Sequence, residues 1–537
     1  MSDNSRSVGL LINGQWVPGS TGKTVTTRTS GTGDPIAHVA AATLADVDRA
    51  VAAAADAADE WAATSPGQRR DILEQAAWIL SERRAEITAL MSREMGVAAG
   101  WCHFNVTVAV GMLRKAAAQS YSMVGEVIPS DVPGLTALGV RQPAGVTVGI
   151  APWNAPLILG VRALAMPLAY GNTVVLKASE QTPCTQAEIA RALVDAGLPA
   201  GAINLITNDM EDASAIVEQL VAHPLVRSIN FAGSARVGRI IGELAGKHLK
   251  RAVLELGGKA PLLVLRDAAI DDAVDAAVFG AFISQGQICM STERLVVATE
   301  VIDDFARKLT GRAASLRLGD AADPATQIGP MVHEQACAHV ESLIQDAVAL
   351  GAEVLTGGRR DGFFFQPTVL HGVTPKMRIY SEECFGPVAS IIEADSEDHA
   401  VEMRTTPSTG CPARSSAPMW RTLSNWPSGS SPESATSTAP QRMTSPRCRS
   451  ADSATPASDG SVRVPPWRSS PNSAGSPSRP AADTTRSDGI VERTPAGMRG
   501  LRRGGEPFVH RAMSFRASMG ARAPSPYRCG VPGPLRS

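Results

Sequence analysis

Nothing in these 537 residues reads as a membrane span: no run reaches the roughly 18 to 20 apolar residues that crossing a bilayer needs. The opening "MSDNSRSVGLLINGQWV" lacks an apolar core followed by a cleavage site, so the expectation is a soluble, cytoplasmic protein. An excess of charge is missing as well. The 51 Lys and Arg nearly balance the 52 Asp and Glu, and a net charge of −1 gives no reason to expect nucleic acid or an acidic membrane as partner. The eight cysteines contain no CxxC pair and no zinc-ligand spacing, in a chain too long to depend on disulfides, so no metal is expected. Any special cysteine is then catalytic. Lysine is absent after residue 403.

What is present up to that point is patterned. Residues 43–60 offer Thr43 as a helix cap, Asp46 three residues on and an Ala/Val face, and residues 67–95 continue with Ile72, Leu73, Ala76, Ile79 and Leu80 at helical spacing. From about residue 143 the rhythm changes. Short β-branched runs ("GVTVGIAPWN", "NTVVLKASE", "GAINLITND", "VRSINFAGS") alternate with helical stretches such as Thr185 to Ala196, which reads as amphipathic. This is a doubly wound α/β pattern, with ligands expected beyond the carboxyl ends of the strands. A similar pattern runs from "RAVLELGGKAPLLVL" to about residue 400, and 122–142 reads as a β excursion between elements of the first unit.

Reactive or polar side chains cluster where the strands end, in "PWNAP" (152–156), "LKASE" (176–180), "FAGSARVG" (231–238) and "LELGGK" (254–259). A fifth stretch, "SQGQICMST" (284–292), sets Cys289 among small and polar neighbours. Each has a bland reading. A lone cysteine is commonly a buried packing residue. Gly233 and Gly238 can simply close a strand-to-helix turn, Glu255 can be a solvated strand-end carboxylate, and Lys177 a surface lysine.

Taken in order, these stretches resemble the aldehyde dehydrogenase superfamily over about residues 8–403. The most specific pieces are "ELGGK", "GQxC" 34 residues after its Glu, "PWN" upstream and "EECFGPV" at 382–388. The resemblance implies a Rossmann-like NAD-binding domain (1–121 and 143–254), an oligomerisation β segment (122–142) and an α/β catalytic domain (255–403). It also implies that Cys289 is the nucleophile, that Asn154 and the Cys289 N–H stabilise the oxyanion, and that Glu255 is the general base for hydrolysis. Presence of this Glu argues against an acyl-CoA-forming enzyme. Lys177 and Glu180 match the family's pair at the adenosine ribose, and Ser234, beside Gly233, a pyrophosphate contact at a helix N-terminus. Glu383 and Phe385 match contacts to the nicotinamide ribose and ring, and Trp153 shapes the hydride site. A carboxylate at the ribose hydroxyls favours NAD over NADP.

"REMG" (93–96), "WCHFNVTVAVGMLRKAA" (101–117) and "GEVIPSD" (125–131) look like the branch that includes salicylaldehyde, benzaldehyde and vanillin dehydrogenases. Phe104, Asn105 and Met112 are then candidate pocket residues, against the equal alternative of a helix packing its apolar stripe into the core. An aliphatic or semialdehyde dehydrogenase with the same machinery is the runner-up.

Residues 404–537 hold 19 of the 37 prolines and show no periodicity, a composition that reads as disordered. The family instead continues for about eighty residues. Codons built from the third base of each written codon and the first two of the next permit "NDTEYGLS" at 404–412, "IGHINGPT" at 433–441 and "PFGGLGDAGIGRFG" at 448–462, in one register and in family order. The expectation is a single frameshift near codon 403 or 404 and an out-of-frame tail. A frame-restored chain is expected to be an active homodimer or homotetramer, whereas the chain as written, without the family's C-terminal core elements, is expected to fold poorly or not at all, an inactive remnant being the alternative reading.

Overall fold

A computed structural model describes residues 6–405. Thr43 caps the helix Leu44–Asp56 by accepting from the Asp46 N–H while the Asp46 side chain returns a bond to the Thr43 N–H, the reciprocal box that the sequence predicts. The helix expected over 43–60 breaks at Ala57, where Ala58–Ala63 begins. The 67–95 stretch likewise divides at Arg83 into Pro66–Glu82 and Arg84–Met95.

A seven-stranded sheet runs in the order Arg251–Leu256, Val226–Gly233, Val146–Ile150, Thr173–Lys177, Ile203–Ile206, Leu10–Ile12, Gln15–Val17. Its first five strands are parallel and the last two join antiparallel. Helices cover both faces. Val174 and Leu176 point into a core layer with the Pro66–Glu82, Ala99–Gln119 and Pro156–Ala169 helices, while Val175 and Val148 point into another with Leu44–Asp56 and Ala235–Lys247. Burial on two sides is why these strands are apolar throughout rather than alternating.

Strand 146–150 lies in the middle, and the chain winds outward from it in one direction and then in the other. The crevice between 146–150 and 226–233 is therefore the topological switch point. The register pairs Phe231 with Ile150, Ile150 with Lys177 and Lys177 with Ile206, so the segments after these strands leave the sheet along one edge.

A second sheet orders Ala260–Val264, Thr292–Ala298, Val388–Ala394, Thr368–His371, Glu353–Thr356, with only the last strand antiparallel. Because the first sheet's strand runs to Leu256, the break between sheets falls at Gly257–Gly258 and Glu255 still belongs to the first. The 122–142 excursion is a hairpin of Glu126–Ile128 with Ala137–Gly139, on which the directly paired Val127 and Leu138 are 77% and 62% exposed.

One helix differs in kind from its expected form. Pro183–Asp195 is buried on nearly all sides of its first half, including Thr185, Gln186 and Glu188, so it is not amphipathic there. Glu94 reaches its N-terminus and accepts the N–H groups of Cys184 and Thr185, each at 2.9 Å, which supplies partners for helix donors that solvent cannot reach.

Among the described residues, no helix is long and apolar enough to cross a membrane. The final described helix is Glu397–Thr405. The rest of the expected out-of-frame tail lies outside the described residues.

Candidate active site

Asn154 sits in the loop after strand 146–150 and is buried. Its side-chain amide donates to the Gln287 carbonyl at 2.9 Å, and its own carbonyl accepts from the Trp101 indole at 3.1 Å. An Asn held by one amide hydrogen keeps its second for another acceptor. The Gln287 contact places this donor beside the loop that carries Cys289.

That loop is strained. Ser284, Gln285 and Gly286 follow one another with φ of 52°, 56° and 69°. Left-handed geometry costs a non-glycine residue roughly 1–2 kcal/mol, so surrounding contacts must hold it. The Gln285 amide donates to the carbonyls of Gly96 (3.0 Å) and Pro330 (2.8 Å), and the Ser291 hydroxyl donates to that of Gly286 (2.8 Å). Gly286 is required twice over, because a Cβ there would lie 2.2 Å from the Gly386 carbonyl oxygen.

Cys289 is exposed, yet the protein around its sulfur desolvates it. Burial pushes its thiol up to about 11, the Glu383 and Glu255 carboxylates add to the rise, and the Arg162 guanidinium opposes it. These three charged groups therefore converge on the cysteine. Arg162 Nη2 is 3.4 Å from Glu255 Oε1. Sequence reasoning missed Arg162, although it is the one charged residue in the apolar helix Pro156–Ala169, eight positions after Asn154.

On the opposite flank, the Lys177 ammonium and the Asn208 amide (2.9 Å) both bond to Glu180 Oε1. Burial works against the Glu180 charge, but these two partners outweigh it and hold the carboxyl below its usual range. Asn208, also missed from sequence, keeps a buried Oδ1 with no partner among the described residues. Ser234 caps the helix Ala235–Lys247, accepting from the Val237 N–H at 3.3 Å. Gly233 precedes it at the end of its strand.

Glu383 and Phe385 stand near the cysteine loop. Trp153 and Phe385 meet edge to face with ring centroids 5.9 Å apart. Glu383 Oε1 accepts from the Gly258 N–H at 3.2 Å, and a Cβ on Gly257 would lie 2.2 Å from its other oxygen. Burial and the neighbouring Glu293 charge raise the Glu383 carboxyl to about 7.

The candidate pocket residues share one helix, Ala99–Gln119. Phe104 is half-buried and stacks on Trp101 at 5.2 Å, which connects it to Asn154. Asn105 is fully buried, and its amide donates to the Trp101 carbonyl one helical turn earlier. Met112 packs against the core. Phe104 packs against that same core, and Asn105 Oδ1 is buried without a partner among the described residues.

Residues 16–411 match the model of the Aldehyde dehydrogenase family. The chain is 53% identical to the vanillin dehydrogenase of Pseudomonas sp. (strain HR199 / DSM 7063) over 396 residues, which are 74% of this chain and 82% of the relative. Its fold is similar to a salicylaldehyde dehydrogenase from Pseudomonas putida G7 solved with salicylaldehyde (TM-score 0.74, 38% identity, 75% of this chain and 83% of that one). It is similar also to an NADP-dependent enzyme of E. coli (TM-score 0.73, 33% identity, 76% and 84% covered). The loop that carries Cys289, a doubly wound sheet and motif order thus agree with the family match, and the chain belongs to the aldehyde dehydrogenase family.

Proposed function

We propose that this protein oxidises an aromatic aldehyde of the vanillin or salicylaldehyde type to the free carboxylate, with NAD as cofactor. The observation that carries the reading is the convergence of Asn154, Glu255 and Arg162 on the Cys289 loop, in a chain 53% identical to a vanillin dehydrogenase. A trigonal aldehyde carbon does not readily release hydride, so the Cys289 thiolate first adds to it and forms a tetrahedral thiohemiacetal. The negative oxygen so created is received by the Asn154 amide and the Cys289 N–H. NAD held at this site would supply the hydride acceptor that collapse of the oxyanion requires. A thioester on Cys289 remains, and Glu255 takes a proton from the water that hydrolyses it. Arg162 serves both acids, favouring the thiolate and pairing with Glu255.

The cofactor's fit rests on donor chemistry. Glu180 is kept anionic by Lys177 and Asn208, and a carboxylate accepts ribose hydroxyls but repels a 2′-phosphate. Ser234 and its helix N-terminus suit the pyrophosphate, while Glu383, Phe385 and Trp153 suit the nicotinamide end. On this reading the seven-stranded sheet is the NAD-binding domain, the second sheet the catalytic domain, and the apolar hairpin at 126–139 the oligomerisation segment.

Purified protein and a Cys289→Ala control, assayed with vanillin, salicylaldehyde, benzaldehyde and succinic semialdehyde under NAD and NADP, test the proposal. The expected result is Cys289-dependent turnover of aromatic aldehydes with NAD. Preference for succinic semialdehyde overturns the substrate class, and preference for NADP the cofactor. An inactive remnant is the second reading, favoured by a family match that stops at residue 411. A titratable Cys289 thiol and NAD binding without NADH formation would support it.

A further inference from the structure

The Lys259–Glu293 ion pair has no part in the chemistry above, yet its side chains are only 0% and 2% exposed. Parallel pairing of Ala260 with Thr292 brings the "ELGGK" segment and the segment after the cysteine side by side, which sets the two charges in contact. Arg294 Nε donates to the Lys259 carbonyl at 3.1 Å and fixes that backbone. The Glu293 carboxylate also accepts two consecutive amides from the opposite loop, Cys384 N–H on Oε2 at 2.8 Å and Phe385 N–H on Oε1 at 3.1 Å.

The second of those amides belongs to a non-glycine residue at φ +50°. Such a conformation persists only where its surroundings over-determine it. An ionised carboxylate accepts more strongly than a neutral group, and burying a charge is costly unless a partner such as the Lys259 ammonium lies against it. A plain packing role would not require this arrangement, because an apolar pair can fill a core equally well. Both Glu293 oxygens are instead spent on the loop that presents Glu383 and Phe385. Glu383 is tied in addition to Gly258, the neighbour of Lys259.

We infer that the buried Lys259–Glu293 pair is the positioning device for the nicotinamide end of the cofactor site, holding Phe385 in its left-handed conformation and Glu383 in place without touching the cofactor. The inference rests on the reading above that Glu383 and Phe385 contact NAD. The pair also links the base-bearing segment, the nucleophile-bearing segment and the cofactor loop through one carboxylate.

The test uses the full chain and two variants, Glu293→Gln and the neutral double variant Lys259→Met with Glu293→Gln, which leaves no unpaired buried charge. NAD affinity is read from quenching of tryptophan fluorescence. Hydrolysis of an activated ester, p-nitrophenyl acetate, is read without cofactor, since it needs only the nucleophile and base. The expected result is an NAD dissociation constant raised by about tenfold or more in both variants, with ester hydrolysis reduced less than about threefold. NAD affinity within about twofold of the parent overturns the inference. So does a parallel loss of both readouts, or failure of both variants to fold, because the pair is then general scaffold. A parent chain that neither binds NAD nor hydrolyses the ester overturns the functional reading itself, whereas a parent active in both and matched by its variants overturns the inference alone.

Discussion

The Asn154 side chain donates to the carbonyl of Gln287 at 2.9 Å, two residues before Cys289. One hydrogen bond thus joins the crevice of the large sheet to the strained loop that carries Cys289. On the proposed function, it sets an oxyanion donor beside the Cys289 loop before any substrate arrives, so no reorganisation is needed at the moment of reaction.

Asn154→Ala is expected to lower kcat by about 10²–10³-fold, the usual loss for one oxyanion donor. NAD affinity, measured by fluorescence titration, stays at the parent level. A kcat within a factor of about three would show that the backbone donor suffices.

A Cys289 thiol pushed up to about 11 is almost wholly protonated at neutral pH in the protein without cofactor. Its alkylation by iodoacetamide, followed against a Cys289→Ala blank, should rise about tenfold for each pH unit toward 11. Arg162 opposes the rise, so Arg162→Met shifts the thiol further upward and slows alkylation at every pH below that value. Faster alkylation in the variant would reverse the assigned sign.

Glu255→Gln removes the proposed base for hydrolysis and leaves the nucleophile. Rapid mixing with vanillin and NAD is expected to give one equivalent of NADH followed by a stall, with steady-state turnover down about 10²–10⁴-fold. Loss of the initial burst would place Glu255 in the first half of the reaction instead.

DNA sequenced across codons 395–415 is expected to reveal a missing base, after which the frame reads "NDTEYGLS" at 404–412. Expression of both versions checks the consequence. The frame-restored chain is expected to be an active oligomer by size-exclusion chromatography and assay, and assembled, active protein from the chain as written would refute the predicted loss of folding.

Much of this was legible because it is local. Parallel strands buried on both faces leave an uninterrupted apolar run, and Thr43 with Asp46 spells a capped helix in four residues. Motifs picked out Cys289, Asn154 and Glu255, which the fold brings to one region. Arg162 was not legible, because its meaning depends on a helix face directed at Glu255 from 93 residues away. Lys259 and Glu293 become partners only when two strands align in a particular register. The Thr185 to Ala196 segment misled for a related reason: polar Thr185, Gln186 and Glu188 look solvent-facing in sequence, but Glu94 and the neighbouring helices enclose them.

The close approach of Gly286 to the Gly386 carbonyl reaches beyond catalysis. Two peptide segments a hundred residues apart in sequence touch through bare backbone, with no side chain between them to yield. Neither can breathe alone, so amide hydrogens in 284–288 and 384–388 should exchange with solvent at a common, slow rate. A nascent or damaged chain would accordingly possess both halves of this centre together, or have neither.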